Sequence, residues 1–429
     1  MGKIDILNLE WPQSDRDLHI VTPVLLYLQK RYHLRFKTES IFNGYYYLLK
    51  YRPKMLVISN FAGDKINHEV VKTAYEMGIK VVSLISEGNV KSEYVHQFLW
   101  GWNKEKRLYV DKLCLWSERS RRLFTEAYPE YANFFTVTGA TGFDRYRLLT
   151  FKTKEAFLRE NSLSFRKIVG IAGWGFDHLF GAYYQQHEAQ YLQVMGQKQI
   201  KMHRDDLVKL RRIYRELIEQ NRDTLFILRY HPGTIDFEKS EFFGLEKYGN
   251  VFVSIPHQNT RYTISDLINI SDLWIGYETT TALEAWLMGK QTFLINPSGK
   301  DFIRENVHRG SPIVQTTQEA QKFLDAFFTN KRIEAFERLQ QYREEVIRDA
   351  IGYADGQNHI RAAEAIYAIF ETPSNRAWKS GARIYRKMGK QILKLLLAKT
   401  IFRKQWSHMR QHSGFAQSYQ IEYDRVIHV

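Results

Sequence analysis

Short apolar runs alternate along the chain with longer segments in which apolar residues recur every three or four positions. In the first half, residues 3–9, 34–38, 55–59, 80–85 and 112–116 read as strands. Between them, 18–32, 45–51 and 68–77 read as helices. Leu18, Val21, Leu25 and Leu28 share one helical face, Pro53 follows the second helix, and Gly78 stands where a helix terminator belongs. Pro23 leaves a second option for the first helix, a start near Thr22. A second series begins at 167. Its strands are 167–172, 224–229, 251–255, 273–275 and 292–295, and its helices 205–221, 264–270, 281–288, 318–328 and 333–351. Alternation at this spacing predicts parallel, doubly wound sheets. No internal repeat or low-complexity tract interrupts it.

A length of 429 residues suits two domains of about 150–200 residues and a tail. The expected organisation is an acceptor-side Rossmann-like domain at 1–150, a polar linker at 151–166, a nucleotide-binding Rossmann-like domain at 167–371, and a basic helical tail at 372–429. Two such α/β domains face to face would enclose a cleft. Hydrophobic residues make up 44% of the chain, enough for two cores. No apolar run reaches the roughly eighteen residues of a membrane span. The start, Met1-Gly2-Lys3-Ile4-Asp5-Ile6, lacks the apolar stretch of a secretion signal, and Ile6 occupies the position a myristoylation site gives to Ser or Thr. The single cysteine, Cys114, lies in an apolar run and reads as core. A reducing cytosol is the expected compartment.

Net charge is +15, which raises nucleic acid as a partner. From 372 to 421, however, there is no Asp or Glu and there are eleven Lys or Arg; without that stretch, 51 basic residues face 47 acidic ones, or +4. The excess belongs to the tail, and no groove-reading motif accompanies it, so nucleic acid is not expected.

In doubly wound sheets, ligands bind at the carboxyl ends of strands. Four segments stand there. Gly276 is followed by Tyr277, Glu278, Thr279, Thr280 and Thr281 at the start of a helix, with Glu284 one turn in. Hydroxyls and free backbone N–H groups there can hold a phosphate, and Glu284 can reach sugar hydroxyls; capping threonines and a surface glutamate are the alternative. Arg229-Tyr230-His231-Pro232-Gly233 ends another strand. His231 could donate to a phosphate oxygen and stabilise a departing nucleotide, or be structural. Gly173-Trp174-Gly175 could approach a nucleotide closely or form only a tight turn. In the first half, Glu87-Gly88 follows a strand, where Glu87 could take the proton of an acceptor hydroxyl or close a turn.

At these residues the chain resembles the bacterial GT-B glycosyltransferases that build surface polysaccharides, including capsule and polyol-phosphate transferases. Leu115-Trp116-Ser117, Val137 to Asp144, the 271–290 segment and Ile351 to Gly356 carry the likeness over about 1–370. Glu87-Gly88, His231-Pro232 and Thr279-Thr280 are similar to the acidic-Gly, His-Pro and Ser/Thr motifs of bacterial GT-B sialyltransferases. Ser86 stands where a second acid is common, and Thr replaces Ser. The resemblance implies an inverting transferase without a metal cofactor. It makes Glu87 the base, with His231 assisting departure of cytidine monophosphate. Thr279 and Thr280 would hold its phosphate; by their positions after strands, Thr281, Gly173, Gly175, Arg229, Pro232 and Glu284 are further candidates for binding the nucleotide sugar. A CMP-linked nonulosonic or Kdo-like donor is the first choice. A UDP-sugar or CDP-polyol donor, an epimerase and a non-catalytic nucleotide-sugar binder are the alternatives. The acceptor would be a glycan or lipid-linked glycan.

The 378–399 stretch is amphipathic. Ile384, Met388, Ile392, Leu395 and Leu396 share a face flanked by Arg383, Lys387, Lys390 and Lys394. Such a helix either lies on an anionic membrane, making the protein peripheral on the inner face of the plasma membrane, or packs back on the first domain.

Overall fold

The computed structural model describes residues 4–11, 15–256, 261–299, 306–379, 381–397 and 417–428; the expectations for Lys3, Ser380 and 398–399 lie outside these. The chain divides into two compact units, Met1–Leu149 with Ile347–Val429, and Thr150–Val346.

Unit 1 opens with β1 (Ile6–Glu10), α1 (Asp15–Tyr32), β2 (Phe36–Ser40), α2 (Gly44–Tyr51), β3 (Met55–Ile58), α3 (Lys65–Glu76) and β4 (Lys80–Leu84). It continues with α4 (Val95–Trp100), β5 (Lys112–Leu115), α5 (Glu118–Ala127), β6 (Phe135–Val137) and α6 (Arg145–Leu148). Its sheet has the order β2-β1-β3-β4-β5-β6, parallel throughout. Helix α1 runs through Pro23 rather than starting beside it. Its face of Ile20, Val21, Val24, Leu25 and Leu28 is buried against Ile6, Met55, Val57 and Val82, and that burial outweighs the lost hydrogen bond.

Unit 2 comprises α7 (Lys154–Glu160), β7 (Lys167–Ala172), α8 (Gly181–Gln220), β8 (Thr224–Arg229), β9 (Val251–Ser254), α9 (Ile264–Ile270), β10 (Leu273–Gly276), α10 (Thr281–Leu287), β11 (Thr292–Ile295), β12 (Ile313–Val314), α11 (Thr317–Asn330) and α12 (Glu334–Glu337). The sheet order is β12-β11-β10-β7-β8-β9, again parallel. Helix α8 is interrupted at Gly196, whose φ of 74° breaks the hydrogen-bond ladder. Trp274 on β10 is fully buried, and a Cβ on Gly170 would meet its ring at 2.2 Å, so glycine on β7 makes room for the indole.

Helix α13 (Gln340–Ile351) leads out of unit 2, and α14 (Asn358–Glu371), α15 (Ala382–Leu397) and α16 (Gln417–Asp424) belong to unit 1. Three expectations change here. The second domain ends at Val346 rather than 371, because Ala362, Ala363 and Ile366 of α14 join the unit 1 core. The 151–166 segment is not a free linker, since it carries α7, whose Phe157 is buried in the unit 2 core with Ile168, Leu225 and Leu267. The expected 333–351 helix is two, α12 and α13.

Three stretches that carried the resemblance meet inside unit 1. Ala140 N donates to Ile351 O at 2.9 Å. A Cβ on Gly352, at φ +84°, would lie 2.1 Å from Trp116 O. Asp144 accepts from His359 N at 2.7 Å and lies 2.8 Å from its Nδ1. These residues form the joint by which the chain returns to its first unit.

Candidate functional site

In unit 2, β8 and β9 lie to one side of β7, and the chain then crosses to β10, β11 and β12 on the other. The line between β7 and β10 is a switch point, where loops leave neighbouring strands in opposite directions and open a ligand crevice. Register aligns Gly276 with Ala172 and Ala172 with Arg229. The segments starting at Tyr277, Gly173 and Tyr230 therefore leave the same sheet edge side by side.

The loop after β7 is fixed at four points. Gly173 N donates to Arg229 O at 2.7 Å, and a Cβ on Gly173 would lie 2.9 Å from that oxygen and from the Phe242 ring. Trp174 N donates to Glu241 Oε1 at 2.6 Å, and the Trp174 ring stacks on His203 with centroids 4.7 Å apart. Asp177 Oδ2 accepts from Ile235 N at 2.7 Å and Asp236 N at 3.2 Å. His178 Nε2 lies 2.7 Å from Gly233 O, which can only accept, so that nitrogen carries the proton. The loops after β7 and β8 thus form one body.

His231 is exposed on this body. Gly233 N donates to His231 Nδ1 at 3.1 Å, so Nδ1 accepts and the ring proton resides on Nε2. Shielding by the loops lowers the His231 pKa, and the neighbouring His178 lowers it further. The ring is neutral at pH 7 and offers an Nε2–H donor. The two imidazoles stand nearly perpendicular with centroids 6.2 Å apart. Gly175 faces both: a Cβ there would lie 3.3 Å from His231 Nδ1 and 3.6 Å from His178 Nδ1.

The loop after β10 was expected to offer its hydroxyls to a phosphate, with helix capping as the alternative. Trp274 Nε1 donates to Thr281 Oγ1 at 2.8 Å, Thr281 N donates to Thr279 Oγ1 at 3.2 Å, and the two hydroxyls are 2.8 Å apart. Thr279 and Thr281 therefore bind each other and the core indole. Thr280, at the N-cap position of α10, is exposed and makes no capping bond with its side chain. Glu284 is half-buried on α10. Behind this loop Tyr277 is buried, donates to Asp206 Oδ2 at 2.9 Å and lies 2.9 Å from His203 Nδ1. A small pocket beside it is lined by Tyr277, Glu278, Leu294, Asn296, His308 and Ile313.

Of the residues expected from sequence, the structure brings Gly173, Gly175, His231 and Pro232 into one body, beside the Thr279–Thr281 loop. Arg229 departs from expectation. Its Nη1 donates to Ser254 Oγ at 2.8 Å, which draws the guanidinium over β9, the strand away from the switch point. His178, Asp177 and Glu241 were missed. A histidine three residues beyond Gly175 was the only sequence signal for this group; Glu241 lies far along the chain, in no motif.

Glu87 belongs to unit 1, in an exposed loop after β4. Its side chain is 75% exposed and pairs with Arg16 Nη1 at 2.6 Å. Neighbouring Gly88 has a packing reason, since a Cβ there would lie 2.3 Å from the Trp116 ring, whose Nε1 donates to Ile85 O. A fully buried carboxylate of unit 1, Glu10, stands at that unit's own switch point between β1 and β3. Glu10 accepts from Ser59 N at 2.8 Å, Ser59 Oγ at 2.5 Å and Asn8 Nδ2 at 2.8 Å. Burial, then the charge of Asp17, raises its pKa well above the usual carboxylate range.

The sequence matches no known family profile and no curated protein. Solved structures do match. A UDP-N-acetylglucosamine 2-epimerase is similar at TM-score 0.57 and 10% identity, over 89% of this chain and all of the other. The Neisseria meningitidis UDP-GlcNAc 2-epimerase bound to UDP-GlcNAc gives TM-score 0.51 and 13% identity over 86% of this chain and all of the other. The wall teichoic acid polymerase TagF gives TM-score 0.51 and 13% identity over 86% of this chain and 89% of the other. The chain has the GT-B fold. At these identities the likeness extends to the fold alone.

Proposed function

We propose that the protein is a nucleotide-sugar-dependent enzyme whose unit 2 grips the phosphates of an activated sugar or polyol. The observation that carries this reading is the switch point of unit 2. There the neutral His231 Nε2–H, the exposed Thr280 hydroxyl and the Gly173-Trp174-Gly175 loop leave adjacent strand ends. Such donors in a crevice stabilise charge that develops on a leaving phosphate.

The leading reading is a glycosyl or polyol-phosphate transferase acting on a bacterial surface-glycan acceptor. In the glycosyl case the acceptor oxygen forms a bond to the anomeric carbon while the bond from that carbon to the phosphate oxygen breaks, and its electron pair leaves on the nucleotide. His231 donates to the departing phosphate, and the acceptor proton passes to a carboxylate, for which Glu87 remains the candidate. The reaction needs no metal in this reading. A UDP- or CDP-linked donor now takes precedence over the CMP-linked one, because structural neighbours were solved with UDP-GlcNAc and UDP, and because TagF is among them. The second reading, a nucleotide-sugar epimerase, draws its support from the epimerases among those neighbours.

The test incubates the full chain with UDP-GlcNAc, CDP-glycerol and CMP-sialic acid, with and without glycan acceptor, and follows the melting temperature alongside. Donor loss that depends on acceptor supports the transferase. Conversion of UDP-GlcNAc without acceptor supports the epimerase. A bound nucleotide at 100-fold excess over Kd stabilises by about 2.7 kcal/mol, so the absence of any shift across the panel overturns the proposal.

A further inference from the structure

Helix α15 carries three stripes. One, of Ile384, Lys387, Met388, Gln391 and Leu395, is turned toward α2. Lys387 Nζ donates to Glu69 Oε2 and to Tyr45 Oη, each at 2.8 Å, and Gln391 Oε1 accepts from Tyr46 N at 3.4 Å. The expected alternative of a tail packed on the first domain is therefore met for this helix. The docking face, however, is not its most apolar one. Ile392, Leu393 and Leu396 point to solvent at 37%, 56% and 57% exposure, with Tyr385 beside them at 48%. Adjacent to this apolar stripe runs a third, the exposed Arg383, Arg386, Lys390 and Lys394, spaced at three and four residues. The surrounding 372–421 segment contains no acid. No helix among the described residues is long and apolar enough to cross a membrane.

We propose that α15 is a rigid foot that rests on an anionic lipid leaflet. The polar bonds to Tyr45 and Tyr46 of α2 and to Glu69 of α3 hold its axis, Ile392, Leu393 and Leu396 enter the headgroup boundary, and the basic row lies against lipid phosphates. A row of cations beside a stripe of leucine and isoleucine matches a surface that is negative outside and apolar beneath. It matches nucleic acid less well, which offers no apolar layer for the leucines. The inference stands apart from the nucleotide reading of unit 2.

The test is co-sedimentation of the full chain with vesicles of phosphatidylcholine alone and of phosphatidylcholine mixed with phosphatidylglycerol, at about 0.1 M and about 1 M salt. The expected result is binding to the mixed vesicles only, weakened at high salt. The double change Lys390→Glu with Lys394→Glu, and separately Leu393→Ser with Leu396→Ser, should each weaken binding at least about tenfold. Both pairs are exposed, so melting temperature should stay unchanged, and the charge pair decides should the leucine pair perturb folding. Equal binding of all forms, or equal binding to both vesicle types, overturns the proposal. So does retention on duplex DNA with no vesicle binding.

Discussion

Buried where Trp174 N reaches it, Glu241 accepts two hydrogen bonds, yet burial still lifts its pKa to about 7. The folded protein holds a proton there that an unfolded chain releases near pH 4.5. Stability from this group is therefore complete below pH 4.5 and lost as pH rises through 7. Glu241→Gln should flatten that fall, which is worth about 3 kcal/mol, and urea melts between pH 4.5 and 8 read it directly. An identical pH profile in the variant would mean that Glu241 is not the titrating group. His231→Ala removes a donor to a charged ligand and should raise the nucleotide Kd by about 10–100-fold with little change in melting temperature. Glu87→Gln breaks only an exposed ion pair, so stability should change by less than about 1 kcal/mol. A fall in turnover of about 10²–10⁴-fold would then identify the base, and unchanged turnover would remove Glu87 from the mechanism. His231 was legible because a strand and a proline announce its position. Glu241, Asp177 and His178 were not, because their roles come from hydrogen bonds to loops distant in sequence.

Among the elements, the strands were legible because buried parallel strands are continuous apolar runs. Strands 167–172, 224–229 and 292–295 have the expected bounds. The edge strands β6 and β12, of three and two residues, carry too little pattern to stand out. The Thr block reads as a phosphate cradle from sequence, yet two of its three hydroxyls are occupied by each other and by Trp274. Gly173 shows what the loop after β7 tolerates. A Cβ there meets a backbone carbonyl and a fully buried ring, neither free to yield. Gly173→Ala should destabilise unit 2 by about 1–3 kcal/mol and weaken nucleotide binding, because displacing Gly173 displaces the body that carries His231. A variant with normal stability but lost binding would point to direct contact between this glycine and the ligand.

For the whole molecule, the return of the chain to unit 1 decides what can be removed. Fragment 150–346 carries its own sheet and core and should fold alone, whereas 1–149 lacks the α14 side chains that complete its core and should not. From sequence, the tail after Thr372 was a basic segment, acid-free as far as Ile421, that would either lie on an anionic membrane or pack back on the first domain. The structure gives it tertiary partners. Arg376 pairs with both oxygens of Asp111 and lies 3.7 Å from the Tyr75 ring. Tyr423 of α16 is fully buried, with its hydroxyl 2.9 Å from His19 Nδ1. Burial, with the charge of Arg145, depresses the His19 pKa to about 3, so this ring stays neutral and keeps its place under α16. Lys30 donates to Asp424 O and Ile427 O at 2.9 and 2.6 Å. A cut after Thr372 would therefore uncover α1 and strip Asp111 of its partner. Reburial of one tyrosine is worth about 1.5–3 kcal/mol and each lost hydrogen bond about 1 kcal/mol, so unit 1 should lose several kcal/mol. Urea unfolding of the cut chain should move the transition of unit 1 to lower denaturant and leave that of unit 2 in place. Loss of vesicle binding in the cut chain would then mix unfolding with detachment, which is why the exposed point variants of α15 are the cleaner probe. Coincident transitions in the cut and full chains would show that the docked tail adds nothing to the stability of unit 1.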